Sequence, residues 1–132
     1  MPNNDLALLD VALLYLDDCK LECDGMTYAI SHLLSEAGIS HRMMIGAVHD
    51  PLSGDSISPH CWIELRDHKA VIDYRLRYWL GDDDLIPHGV FCPDETGMVY
   101  QGDTLQRPPL TKPVLMMMTD DRLAKVSLIG FA

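Results

Sequence analysis

The sequence predicts an α+β fold, with N-terminal helices packed on an antiparallel β-sheet. Three observations predict it. Apolar residues recur at helical spacing from Met26 to Ala37. Two short strand-like runs, His60–Leu65 and Ala70–Tyr74, flank a polar turn near Asp67-His68, as in a hairpin. The chain has 132 residues, 48% of them hydrophobic, enough for one core and a single domain over 1–132.

The first helix is predicted from a cap at Asn3 or Asn4 to about Asp17. Leu6, Leu8, Leu9, Val11, Ala12, Leu13, Leu14 and Leu16 cover much of its circumference, which places it in the core or in a homo-oligomer contact. Asp18 to Glu22 form a polar connector. A second helix follows over about Asp24–Glu36, with Met26, Ala29, Ile30, Leu33, Leu34 and Ala37 on one face and Gly38 as its stop. Cys23 extends that inward stripe at the N-terminal end, while His32 is placed toward solvent. Arg42–Val48 reads as a strand. The polar stretch from His49 to Pro59 reads as a loop suited to substrate selection, since it leads directly to His60, or equally as an idle, mobile insertion.

In the predicted hairpin Leu65 pairs with Ala70 and Trp62 with Asp73. His60 and Asp73 are then diagonal neighbours on one face, roughly 7–8 Å apart at the backbone. Cys61 points to the opposite face, where core packing is its expected role, and Trp62 is expected either to wall the site or to fill the core, the core reading first. Gly89–Cys92, Gly97–Gln101 and Pro113–Thr119 read as strands, with Asp120–Ser127 as a short helix.

Composition narrows the function. A formal charge of −10 opposes a phosphate backbone, so nucleic acid is not an expected partner. The stretch Leu6–Leu16 is too short to span a bilayer, so no membrane partner is expected. No basic n-region precedes it, which predicts a cytoplasmic protein with reduced Cys19, Cys23, Cys61 and Cys92. Metal and cofactor are not expected: Cys19, Cys23 and the His60-Cys61 pair lack the C-x₂-C spacing of structural zinc, and Asp82-Asp83-Asp84 reads as a solvated turn. His41, His49, His68 and His88 lack spaced partners and are placed at the surface.

Cys23, His60 and Asp73 remain as candidate catalytic residues. A helix N-terminus and a nearby histidine both lower a thiol pKa. The histidine also serves as base and acid, and a carboxylate fixes its tautomer. An aspartate inside a strand runs against β-propensity and needs a partner when buried. Backbone N–H groups at the helix start are oxyanion donors, and Gly25 is expected to admit a substrate backbone. Cys19 lies in the connector, without the helix end.

Four segments resemble the transglutaminase-like superfamily, of papain-like cysteine protease fold. Cys23-Asp24-Gly25 followed by Ala29 to Ile39 is similar to the family's Cys-helix, which ends in an "L-x-x-x-G-I" stretch. Arg42-Met43-Met44-Ile45-Gly46 resembles the "A-R-x-V-x-G" strand, His60-Cys61-Trp62-Ile63-Glu64-Leu65 the "H-A-W-V-E-V" strand, and Val71-Ile72-Asp73 the strand bearing the aspartate. The resemblance implies a Cys-helix packed on an antiparallel sheet, with Cys23 as nucleophile, His60 as base and Asp73 as orienter. It implies a cysteine hydrolase or acyltransferase acting on an amide through a thioester, with a peptide or protein substrate. The chain departs from the pattern at Glu22, where a small residue is common and where a carboxylate is expected to crowd the thiol or raise its pKa. It departs again at Tyr74, in place of the common proline. The alternative is a non-catalytic binding or scaffold domain that keeps the fold.

Overall fold

The computed structural model describes residues 5–128, 130 and 131. The expected Asn3 or Asn4 cap lies outside them. The fold is α+β, built on a five-stranded antiparallel sheet with several helices around it. Helix α1 spans Asp5–Leu13 and tightens into a 3-10 turn at Leu14–Leu16, short of the expected Asp17. Leu9, Leu13 and Leu16 are buried, while Leu8, Val11, Leu14 and Tyr15 are exposed. Asp10 anchors the helix: its carboxylate accepts from the Tyr74 hydroxyl at 2.6 Å and from the Val90 N–H at 3.3 Å.

Helix α2, Cys23–Glu36, buries the predicted stripe. Its end is a Schellman motif: Ile39 N–H donates to Leu34 O, Gly38 N–H to Ser35 O, and Gly38 takes φ +73°. Strands β1 (Arg42–His49) and β2 (Ser56–Leu65) follow. The intervening loop is shorter than expected. Asp50 organises it by accepting from Leu52 N–H and Ser53 Oγ, so pairing resumes at Ser56. Strand β3 (Ala70–Asp73) pairs Leu65 with Ala70, Glu64 with Val71 and Ile63 with Ile72, the register expected from the sequence.

Beyond β3 the chain departs from expectation. A short helix α3 (Arg77–Leu80) precedes β4 (Gly89–Phe91), a single helical turn α4 (Pro93–Thr96) stands at the expected turn, and β5 spans Val99–Thr104, shifted from Gly97–Gln101. Pro113–Thr119 is not a strand but helix α5, Lys112–Met118. Thr111 is its extended N-cap and Pro113 lies in its first turn, where a missing N–H removes no bond. The last predicted helix is a 3-10 segment, Arg122–Lys125.

The strand order is β4-β3-β2-β1-β5. One face packs Cys61, Ile63, Leu65, Ala70 and Ile72 against α1, α2 and α5. The other carries Met44, Val48, Trp62, Val71, Phe91 and Tyr100. In a flat sheet β5 would lie about 14 Å from β3, three strand spacings away. Yet Tyr100 on β5 reaches Asp73 on β3 at 2.8 Å. The sheet is therefore curled, with this second face concave.

Candidate active site

Three elements converge on the predicted trio. Cys23 is the first residue of α2 and is half-buried. His60 lies on β2 and Asp73 ends β3, both on the concave face and both buried. His60 Nε2 and Asp73 Oδ2 are 2.8 Å apart, so the carboxylate holds the ring by that nitrogen. The indole of Trp62 stacks on the imidazole, centroids 6.3 Å apart and planes at 24°. Trp62 is in the core as expected, and Gly102 makes room for it: a Cβ there would meet Trp62 Cη2 at 2.9 Å.

Cys23 and His60 influence each other's titration. No hydrogen bond closes on His60 Nδ1, which is buried without a partner. It is the ring nitrogen left available to Cys23, and such contacts tighten when a substrate arrives. The Cys23 pKa is lowered to about 4: the neighbouring Cys61 thiol lowers it most, burial opposes this, and His60 and the Cys61 backbone add to the lowering. Burial alone would lower His60, but the Asp73 carboxylate bonded to Nε2 and the neighbouring Cys23 thiol outweigh that and raise it to about 9. Both shifts favour a thiolate on Cys23 and an imidazolium on His60.

Cys61 points away from His60 and packs in the core, as expected, but it does more. Its thiol is the largest influence lowering the Cys23 pKa, and its own pKa rises through Cys23 and through burial. The sequence carried no signal for this beyond its place beside His60. Cys19 is a different thiol: buried, donating to Thr119 O at 3.5 Å, with its pKa raised by burial. Cys92 is likewise raised by burial.

Two residues that hold Asp73 were missed. Tyr100 donates its hydroxyl to Asp73 Oδ2 at 2.8 Å, and burial beside Asp73 keeps it protonated. Arg75 donates its backbone N–H to Asp73 Oδ1 at 3.0 Å, so both carboxylate oxygens are occupied. Arg75 is itself buried, with its guanidinium turned toward the connector before Cys23. An arginine between Tyr74 and Leu76, two residues after the aspartate, was the available clue.

Three expectations at the helix start need correction. Gly25 does not face a substrate; it is buried, and a Cβ would meet Leu21 Cδ2 and Met118 Cε at 3.3 Å. Glu22 is exposed at the N-cap, outside the groups that shift Cys23. With Gly25 N–H taken by Asp24 Oδ1 and Met26 N–H by Glu22 O, the N–H groups of Cys23 and Asp24 are the first-turn donors without a partner among the described residues. The expected surface histidines also divide: His41 bonds Ser31 and Ile39 O, His88 bonds Asp17, and both are half-buried. His32, placed toward solvent, is half-buried against Glu36.

Among the described residues no three His, Cys, Asp or Glu side chains are grouped to hold a metal ion. No described helix is long and apolar enough to cross a membrane. A cavity of about 480 Å³ opens on the concave face beside Trp62, Val71, Met98 and Tyr100, but none of the trio lines it. Comparison with known proteins finds no match: no family model, no curated protein and no solved structure is significantly similar to this chain.

Proposed function

We propose that this protein is a cysteine-dependent hydrolase or acyltransferase that acts on an amide, the peptide bond first among them, through a thioester. The papain or transglutaminase-like core is part of the same proposal. Its support is a helix that starts at a cysteine and packs on the sheet whose adjacent strands carry the histidine and the aspartate. The observation that carries the reading is His60: one ring nitrogen held by Asp73, the other buried and unpartnered beside a thiol of lowered pKa.

The Cys23 thiolate attacks the acyl carbon. The developing oxyanion meets the N–H groups of Cys23 and Asp24. His60 gives its Nδ1 proton to the leaving amine as the C–N bond breaks, leaving a thioester on Cys23. Water or a second amine then loses a proton to Nδ1 and attacks the thioester, and Cys23 departs as the thiolate. Asp73 keeps the ring in place throughout. No cofactor enters this scheme, and a cytoplasmic setting suits a free thiolate.

The second reading, a non-catalytic binding or scaffold domain, draws on the exposed side of α1, where Leu8, Val11, Leu14 and Tyr15 suit a contact between copies. Acylation separates the two. Brief exposure to p-nitrophenyl acetate followed by peptide mapping is expected to place the acetyl group on Cys23 and nowhere in Cys23→Ser. Acetyl spread over lysines, with Cys23 unmodified, would sink the enzyme reading.

A further inference from the structure

We infer that Arg75 is a positioning residue for Cys23: its guanidinium fixes the connector that presents the nucleophile and its oxyanion donors. The inference rests on the reading of Cys23 as nucleophile. A guanidinium has five N–H donors in a fixed fork, and a buried one needs partners for all of them. Arg75 is 1% exposed and uses all five. Nε donates to Leu21 O at 2.6 Å. Nη1 donates to Asp17 Oδ1 at 2.8 Å and to Tyr74 O at 2.9 Å. Nη2 donates to Asp17 O at 3.0 Å and to Cys19 O at 2.9 Å.

Three of those acceptors are backbone carbonyls of the segment from Asp17 to Leu21, which enters α2. Other ties hold the segment too: Asp17 N–H donates to Leu14 O, Cys19 N–H to Leu16 O, Leu21 N–H to Cys19 O, and the Cys19 thiol to Thr119 O. In a trans peptide the carbonyl and the following N–H point in opposite directions. By holding Leu21 O, Arg75 therefore sets the direction of the Glu22 N–H and the entry angle of Cys23. Asp17 is held from a second side by His88 Nε2 at 2.9 Å, and the Tyr78 ring lies 5.0 Å from the Arg75 guanidinium carbon. The backbone N–H of Arg75 meanwhile bonds Asp73. One short segment after β3 thus orients His60 through residue 73 and the nucleophile through residue 75.

The test compares two reactions at Cys23. Alkylation by iodoacetamide needs a thiolate but no oxyanion hole, whereas acylation by p-nitrophenyl acetate needs both. Arg75→Lys keeps the charge and loses the fork. In folded R75K the ratio of acylation to alkylation rate is expected to fall roughly ten- to hundredfold. A residue that only stabilised the fold would leave the ratio unchanged, and an unchanged ratio overturns the assignment. If R75K does not fold, Asp17→Asn replaces it, with a fall of about threefold or more supporting the role and no change overturning it. A wild-type thiol inert to both reagents would instead bring down the enzyme reading, and this inference with it.

Discussion

The helix-covered face of the sheet is apolar from β4 to β1, whereas the concave face buries His60 and Asp73 among Trp62, Val71 and Phe91. On the first face each buried Ile or Leu contributes about 1.5–3 kcal/mol, with little demand on orientation. On the second, a buried carboxylate and imidazole are costly unless their atoms find partners. Asp73 finds three donors, from His60, Tyr100 and Arg75. Within that network the unsatisfied atom is His60 Nδ1, on the side of Cys23. A face that served stability alone would gain nothing from such an atom. The contrast separates the part of the molecule that holds the fold from the part that holds the proposed chemistry.

The contrast breaks most sharply at Asp73. Asp73→Asn keeps the shape but misdirects the tautomer, and acylation of Cys23 is expected to fall about 10³–10⁴-fold with the fold retained. A fall under tenfold in the folded variant would mean that His60 is not oriented from there. On the other face, Ile63→Ala is expected to cost about 2–5 kcal/mol in denaturant unfolding while the reactivity of Cys23 in the folded protein stays near wild type. Smallest is Tyr100→Phe, which removes one of the three donors to Asp73. It is expected to cost about 1–2 kcal/mol and to slow acylation about tenfold or less. A loss as large as that of Asp73→Asn would make Tyr100 a partner in the chemistry itself.

The first two-thirds of the chain was more legible than the last. Cys23–Glu36 announced itself through its stripe and Gly38, and the hairpin through its turn, so Leu65 opposite Ala70 followed from local rules. Those rules also brought His60 and Asp73 to one face. Sheet curl was not legible, because it is a property of five strands together. Tyr100 therefore gave no sign that it would cross to Asp73. Arg75 was hidden for a related reason: its acceptors at Asp17, Cys19 and Leu21 lie more than fifty residues earlier, in a connector without periodicity. Pro113 misled because a proline reads as a breaker, while at a helix's first turn it is tolerated.

The most direct test of the central claim is the pH dependence of Cys23 alkylation, with all four cysteines followed by mass spectrometry. The lowered Cys23 pKa keeps the thiolate as pH falls to about 4, against 9.0 for an ordinary thiol, and the raised His60 pKa keeps the imidazolium as pH rises to about 9. Cys23 alone is expected to react fast near neutral pH, with a midpoint near 4 that moves up in His60→Ala. Four equally sluggish thiols, or a Cys23 midpoint near 9 that ignores His60→Ala, would contradict it.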